Sequence, residues 1–125
     1  MPTRHAFLRQ CIAAAGALLL PLAASHAQAQ TFPIAGKPIR IVVPFPAGGQ
    51  TDIQARLLAA KLQPLLGTTV LVDNKPGAAG ILGTMEVVRA PADGHTLLYT
   101  ISVTAAQNPH LFSKLPYDPF KDLTP

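Results

Sequence analysis

The sequence has one cysteine and few charged residues, and each shortage excludes a class of protein. The single cysteine, Cys11, lies in an N-terminal leader, so the rest of the chain can form neither a disulfide framework nor a thiolate metal site. Charged residues make up 13% of the chain and apolar residues 49%, a balance that excludes a disordered protein and suffices for a core. With 125 residues, the chain has room for at most one modest domain.

The first 29 residues have the three regions of a secretory signal peptide. Arg4 and Arg9 precede the apolar run CIAAAGALLLPL, and Ala27 and Ala29 then frame an A-x-A cleavage site. We expect cleavage after Ala29, with cleavage after Ala27 as the alternative, and hence a periplasmic mature chain of residues 30–125. The apolar run is too short to span a membrane, so a signal peptide is favoured over a transmembrane anchor.

The export route stays open. The stretch TRHAFLR resembles the twin-arginine export pattern, except that His5 stands where the second arginine belongs. A lipoprotein is not expected, because Cys11 precedes the apolar run and a lipid-modified cysteine follows it. Removal of the leader leaves eight Lys and Arg against six Asp and Glu, so the net charge falls from +4 to +2. Nucleic-acid binding thereby loses its main support.

The mature chain alternates strand and helix patterns. Strands are predicted at 39–43, 70–73 and 96–100, and helices at 51–66 and 81–90. This order predicts an α/β fold built from parallel βαβ units. The apolar face of the first helix is predicted to comprise Ile53, Leu57, Leu58, Leu62, Leu65 and Leu66, and that of the second Ile81, Leu82, Met85 and Val88.

The stretch PAGGQTD follows the first strand and opens the first helix. Thr51 followed by Gln54 has the spacing of a capping box, so Thr51 is predicted as the N-cap. Gly48 and Gly49 have no Cβ atoms, so an anion could approach the backbone and the free N–H groups of the first turn. Asp52 is expected to order the loop or to meet an amine or water. A tight turn without a ligand is the alternative.

The usual nucleotide and catalytic motifs are missing. PAGGQTD matches neither G-x-G-x-x-G nor a P-loop, and GAAGILG is only a weak phosphate-loop pattern. His95 and His110 are the only mature histidines, neither lies near a serine nucleophile in the sequence, and no carboxylate–histidine ligand cluster is present. His95 is expected to flank a strand and His110 to lie in a surface turn. We therefore predict neither an enzyme nor a cofactor.

Three segments in the right order resemble the Bug/TctC receptors, the extracytoplasmic solute-binding proteins of tripartite tricarboxylate transporters. They are KPIRIVVPFPAGGQTDIQAR, LGTTVLVDNKPGAAGILGTMEVVRAPADGHTLL and NPHLFSKLPYDPFKDLTP. The resemblance implies a two-lobed Venus-flytrap fold of the type II periplasmic-binding-protein class. It further implies a small carboxylate ligand, the membrane components of a transporter as partners, and a monomer at full length.

The resemblance also implies binding residues in two loops that line the cleft. The first loop, 45–52, corresponds to the family's first binding loop, and the second, 102–108, follows the third strand. Ordinary capping of the next turn is the alternative for the hydroxyl-rich second loop. The residues expected to contact the ligand are Phe45, Pro46, Ala47, Gly48, Gly49, Thr51, Asp52, Ser102, Thr104, Gln107 and Asn108.

Members of this family are more than twice as long as this chain. Residues 30–125 are therefore expected to form part of a first lobe, as an N-terminal fragment truncated before the second lobe. The alternative is a non-binding remnant or a small α/β interaction module, whose exposed sheet edge something else would have to cover.

Overall fold

The computed structural model describes residues 32–125, and the predicted signal peptide lies outside these residues. No helix within this described part is long and apolar enough to cross a membrane. The elements are β1 (Ile39–Val43), α1 (Gln50–Leu66), β2 (Val70–Asn74), α2 (Ile81–Val88), β3 (Thr96–Leu98) and α3 (Asn108–Leu111). A short 3₁₀ turn (Ala78–Gly80) precedes α2, and a π-helical turn (Val103–Gln107) precedes α3.

The three strands form one parallel sheet in the order β2-β1-β3. Ile39 pairs with Val70 on one side of the central strand, and Arg40 pairs with Thr96 on the other. Apart from Arg40, the residues of β1 are apolar and β-branched, as is typical of a strand buried within a parallel sheet. The predicted α/β fold with parallel βαβ units is thereby confirmed.

Two strand ends differ from the predicted bounds. The strand β2 continues through Asn74, one residue further than predicted, because Asn74 still pairs with Val43. The strand β3 stops at Leu98 rather than Thr100. Beyond Leu98, Tyr99 still donates its backbone N–H to Val42 O at 3.0 Å. The ladder goes no further because β1 ends at Val43 and the next residue, Pro44, has no N–H.

Helix α1 covers one face of the sheet with small residues. Ala55 and Ala59 are buried against Ile41 of the central strand and its neighbours in the core. The predicted apolar face is therefore only partly correct. Leu62 and Leu66 do pack on the core, whereas Ile53, Leu57, Leu58 and Leu65 are exposed. The face of α1 that packs on the sheet is the one with the two alanines, because their small side chains let the helix backbone approach the sheet closely. A pattern based on hydrophobicity alone does not capture this effect.

The C-terminus of α1 agrees with the prediction. Pro64 does not end the helix early, and Gly67 adopts a left-handed conformation with φ +61°. Its N–H donates to Gln63 O at 3.0 Å, which satisfies one of the last carbonyls.

Helix α2 lies against the opposite face and ends at Val88, two residues before the predicted end. Its buried positions are Gly83 and Thr84, whereas Leu82 of the predicted apolar face is exposed. Gly83 meets Pro44 and Lys75 O so closely that an added Cβ would lie 2.8–2.9 Å from them. The helix thus packs through a glycine directly onto the ends of β1 and β2.

An ion-pair network holds α2 to the sheet on this face. Arg40 of the central strand donates to Asp73 of β2 at 3.0 Å and also to Glu86 of α2. Lys75 lies 3.5 Å from the Asp73 carboxylate and 3.7 Å from that of Glu86. Glu86 is the main reason that the pKa of Arg40 is raised. The two cations and two anions compensate each other, which explains how a charged residue fits in the middle strand.

His95 flanks β3, as predicted, but it is fully buried and fastens the segment before β1. Its Nε2 accepts a hydrogen bond from the Ile34 N–H at 3.1 Å, and its Nδ1 lies 3.2 Å from Pro38 O. Because a carbonyl only accepts, Nδ1 carries the proton and the ring is neutral. His110, in contrast, lies exposed on α3 rather than in a turn.

We predict that Gly83→Ala destabilises the fold. In an open helix this change would stabilise the protein by about 1 kcal/mol through helix propensity. Here the added methyl group meets backbone atoms at 2.8–2.9 Å, and such overpacking typically costs about 1–3 kcal/mol. Urea unfolding of the wild type and the variant measures the change, and we expect a lower free energy of unfolding for Gly83→Ala. A more stable variant would mean that α2 does not pack this closely.

Candidate functional site

Three connections meet beyond the carboxyl ends of the parallel strands, where α/β sheets bind their ligands. They are residues 44–49 after β1, residues 75–80 after β2 and residues 99–107 after β3. Asn74 Nδ2 donates to Phe45 O at 3.2 Å, and Gly80 packs against Pro44 and Thr104. The loops after all three strands are thus in direct contact, as the shared direction of the three parallel strands requires.

Asp52 orders the first loop. The side chain is only 3% exposed, and its Oδ2 accepts a hydrogen bond from the Gly48 N–H at 2.8 Å. Arg56, one turn further along α1, donates its Nε to the same oxygen at 3.1 Å. The Arg56 guanidinium and then the Gly48 N–H lower the pKa of Asp52 to about 2. The predicted ordering role of Asp52 is therefore confirmed, and its charge is compensated within the chain.

The predicted capping box is wrong. Helix α1 begins at Gln50, its N-cap is Gly49, and no side chain caps it. Thr51 lies inside the first turn and is buried, while Gln54 Oε1 accepts a hydrogen bond from the Tyr99 hydroxyl at 3.3 Å. The reason is that Asp52, not Thr51, binds the preceding loop, which shifts the start of the helix by one residue.

The first turn of α1 presents backbone donors to the rim. The first helical hydrogen bond runs from the Ile53 N–H to Gly49 O at 3.0 Å. The N–H groups of residues 50–52 consequently have no partner within the helix. Gly48 turns the chain here with φ +82°, a conformation that favours glycine. Phe45 is half-buried against the core, whereas Pro46, Ala47, Gly48 and Gly49 are exposed.

The second predicted loop is helical rather than irregular. Residues 103–107 form the π-helical turn, and Asn108 already belongs to α3. Ser102 and Gln107 are exposed on this segment. Thr104 and Asn108 are fully buried, and the Thr104 hydroxyl lies 2.9 Å from that of Thr100. The structure thus brings the two predicted segments to one rim but exposes only part of the second set.

The turn of residues 77–80 also lies on this rim, although none of its residues was among those expected to contact the ligand. All four residues have positive φ, including Ala78 at +48° and Ala79 at +53°. A left-handed backbone is unfavourable for residues that carry a Cβ atom, so neighbouring groups must hold it. Asn108 Nδ2 donates to Ala79 O at 3.0 Å and Thr84 Oγ1 donates to Gly80 O at 2.9 Å. The two flanking glycines are the sequence signal for such a turn.

Two concavities lie away from this rim. One, of about 550 Å³, is lined by residues such as Pro38, Gln63 and Thr68 at the opposite end of the sheet. The other, of about 610 Å³, lies beside α2 and includes Arg40 and Glu86, whose charges are already paired. Residues 32–125 contain no group of three or more His, Cys, Asp or Glu side chains that could hold a metal ion.

Comparison with known proteins agrees with the resemblance seen in the sequence. Residues 54–125 match the family described as "Tripartite tricarboxylate transporter family receptor". Protein BugT of Bordetella pertussis is 43% identical over 103 residues, which cover 82% of this chain and 31% of that protein. The chain spans about a third of the length of the relatives it matches.

Solved structures show the same fold. A Rhodopseudomonas palustris protein, Rpa4515 with adipate, has a TM-score of 0.67 and 34% identity over 72% of this chain and 29% of its own. MatC from the same species, with bound malate, has a TM-score of 0.66 and 38% identity over 74% of this chain and 31% of its own. These relatives and neighbours are solute-binding receptors rather than enzymes.

We predict that Asp52 makes stability depend on pH between about 4 and 2. Its pKa in the folded chain is about 2, below the ordinary value of 3.8, so the unfolded chain binds more protons in this window. The contribution is complete above about pH 4 and is lost as the pH falls toward 2. In Asp52→Asn, the unfolding free energy should depend less steeply on pH in this window.

Urea unfolding at several pH values between 2 and 5 measures this dependence. Arg56→Gln should raise the pKa of Asp52 in the folded chain toward its ordinary value, because Arg56 is the largest cause of the lowered pKa. The pH range over which stability is lost should then end at a higher pH than in the wild type. Parallel curves for the wild type and Asp52→Asn would contradict the role of this carboxylate.

Proposed function

Because the chain belongs to the tripartite tricarboxylate transporter receptor family, we propose that it captures a small carboxylate in the periplasm. The observation that carries the proposal is the first turn of α1, where the N–H groups of residues 50–52 have no helical partner and follow the exposed, glycine-cornered loop of residues 46–49. A helix N-terminus favours negative charge, and its N–H groups point outward along the helix axis toward a bound anion.

The internal pairing of Asp52 makes this site compatible with an anion. An unpaired carboxylate in the first turn would repel a carboxylate ligand. Here the Arg56 guanidinium lies 3.0 Å from Oδ1, and the Gly48 N–H donates to Oδ2. The charge of Asp52 is therefore directed at the loop and at Arg56, and the remaining N–H groups of the turn are available to a ligand.

The second segment contributes in two ways. Ser102 and Gln107 are exposed and can donate hydrogen bonds to a ligand on the rim. Thr104 and Asn108 are buried, and both N–H groups of Asn108 serve acceptors within the chain, Ala79 O and the Tyr117 hydroxyl. We propose that Ser102 and Gln107 contact the ligand and that Thr104 and Asn108 shape the segment.

The solved relatives support this ligand class. Rpa4515 was solved with adipate and MatC with malate, and both molecules are small dicarboxylates. The rim described here has donors on two sides, the first turn of α1 and the segment 102–107. We propose that this chain forms one wall of the binding cleft and delivers its ligand to the membrane components of a transporter.

We predict that Gly49→Val weakens carboxylate binding at least about tenfold, on the order of 1.4 kcal/mol. The added side chain stands at the N-cap beside the free N–H groups, where its Cβ would lie 3.3 Å from Pro46 O. The protein expressed from the complete open reading frame is titrated calorimetrically with malate and adipate. Ala60→Val, on the exposed side of the same helix, is the matched control and should bind as the wild type. Equal affinities for Gly49→Val and wild type would remove this loop from the site.

We also expect residues 30–125 alone to bind these acids weakly, with dissociation constants in the millimolar range or above. A two-lobed receptor gains affinity by closing donors from both sides over the ligand and excluding water. A single wall leaves the anion solvated. Calorimetry on residues 30–125 checks this expectation, and micromolar binding by a folded monomer would show that this segment is a complete binding domain.

A further inference from the structure

Tyr117 is a buried tyrosine that no motif in the sequence marked as functional. It is 5% exposed, and its hydroxyl donates to Thr104 O at 2.6 Å. The same hydroxyl accepts a hydrogen bond from Asn108 Nδ2 at 3.2 Å. Because Asn108 Nδ2 also donates to Ala79 O, one chain of hydrogen bonds joins the C-terminal segment, the π-helical turn and the turn of residues 77–80.

The sequence explains why Thr104 O needs a side-chain donor. In an α-helix this carbonyl would accept the N–H of Asn108, but in the π-helical turn that N–H donates to Val103 O instead. The residue after Asn108 is Pro109, which has no N–H to donate. The main chain at positions 108 and 109 therefore supplies no donor for Thr104 O, and the Tyr117 hydroxyl fills this place.

The orientation of the Asn108 amide follows from the same contacts. Ala79 O can only accept a hydrogen bond, and the proton of the Tyr117 hydroxyl is committed to Thr104 O. Both neighbours are thus acceptors, and Nδ2 rather than Oδ1 must face them. Asn108 Oδ1 is buried without a partner in the described part of the chain. The amide therefore acts through Nδ2 alone, which donates to Ala79 O and to the Tyr117 hydroxyl.

The turn of residues 77–80 and the π-helical turn both have unfavourable backbone conformations, which neighbouring groups must stabilise. Ala78 and Ala79 have left-handed backbones, which residues with a Cβ atom rarely adopt. The π-helical turn replaces the ordinary helical hydrogen bonds with wider ones, an arrangement that is rare and often occurs at functional sites. The hydroxyl of Tyr117 and the amide of Asn108 supply the contacts that connect these two unfavourable conformations.

We propose that Tyr117 is a positioning residue of the carboxylate site, an inference that rests on the function proposed above. Its hydroxyl holds the segment that presents Ser102 and Gln107 and, through Asn108, the turn of residues 77–80. A ligand then meets donors that are already in place and does not have to order them on binding. Tyr117 sets the affinity without touching the ligand.

The test is Tyr117→Phe, which removes the hydroxyl and keeps the ring, in the protein expressed from the complete open reading frame. We expect the dissociation constant for malate or adipate to rise on the order of tenfold, mainly through faster dissociation. Hydrogen exchange in a peptide covering residues 75–82 should accelerate in the ligand-free protein. This second measurement needs no ligand.

Thr68→Val is the matched control for lost stability. Thr68 Oγ1 donates to Lys37 O at 3.1 Å at the opposite end of the sheet, so the variant also removes one side-chain hydrogen bond to a distant carbonyl. We expect it to lower the melting temperature while leaving both the affinity and the exchange of residues 75–82 unchanged. If Thr68→Val weakened binding as much as Tyr117→Phe, the effect would be one of general stability and the proposal would fail.

Asn108→Ala and the double variant test whether the two side chains act together. In a shared network the double variant should lose little more affinity than either single variant, whereas additive losses would contradict the proposal. Wild-type protein that binds neither acid nor other small carboxylates would overturn the proposed function. Wild-type binding that Tyr117→Phe leaves unchanged, with unchanged exchange at residues 75–82, would overturn only the role of Tyr117.

Discussion

The parallel pairing of β1 with both of its neighbours is the constraint on which the rest of this structure depends. Since all three strands point the same way, the chain must leave each strand at the same edge of the sheet. The loops after Val43, Asn74 and Leu98 therefore meet on one rim, although up to 55 residues separate them in the sequence. Pairing of the backbone brings together the groups that the proposed function needs, before any side chain takes part.

Small residues turn this arrangement into a surface made largely of backbone. Ala55 and Ala59 let α1 lie close to the sheet, and Gly83 does the same for α2. The N–H groups at the start of α1 consequently belong to a helix that packs directly on the sheet. In this first turn the Asp52 carboxylate is paired with Arg56, so under the proposed function it does not oppose an anionic ligand.

Much of the fold could be predicted from the sequence, because β1 and the helix ending at Gly67 follow from periodicity and local conformation alone. The meeting of the three loops on one rim also follows from the order of the elements. The errors arise where tertiary contacts compete with local patterns. The side chain of Asp52 displaced the predicted cap at Thr51, and alanines displaced the leucines of α1 from the core.

The candidate site was harder to predict than the fold. Thr104 and Asn108 have the chemistry of ligand donors, but both side chains are buried. The Thr104 hydroxyl lies against that of Thr100, and the Asn108 amide donates to Ala79 O and to the Tyr117 hydroxyl. Tyr117 is nine residues from Asn108, and the turn of residues 77–80 is nearly thirty away. Spacing along the chain gives no indication of such a network.

Under the proposed function, the first turn of α1 binds a carboxylate through its backbone N–H groups. The most direct measurement follows the amide resonances of the ¹⁵N-labelled protein, expressed from its complete open reading frame, during titration with malate or adipate. We expect saturable downfield proton shifts for the amides of residues 50–52, together with changes at Ser102 and Gln107. Saturable binding that leaves the amides of residues 50–52 unshifted would contradict this expectation.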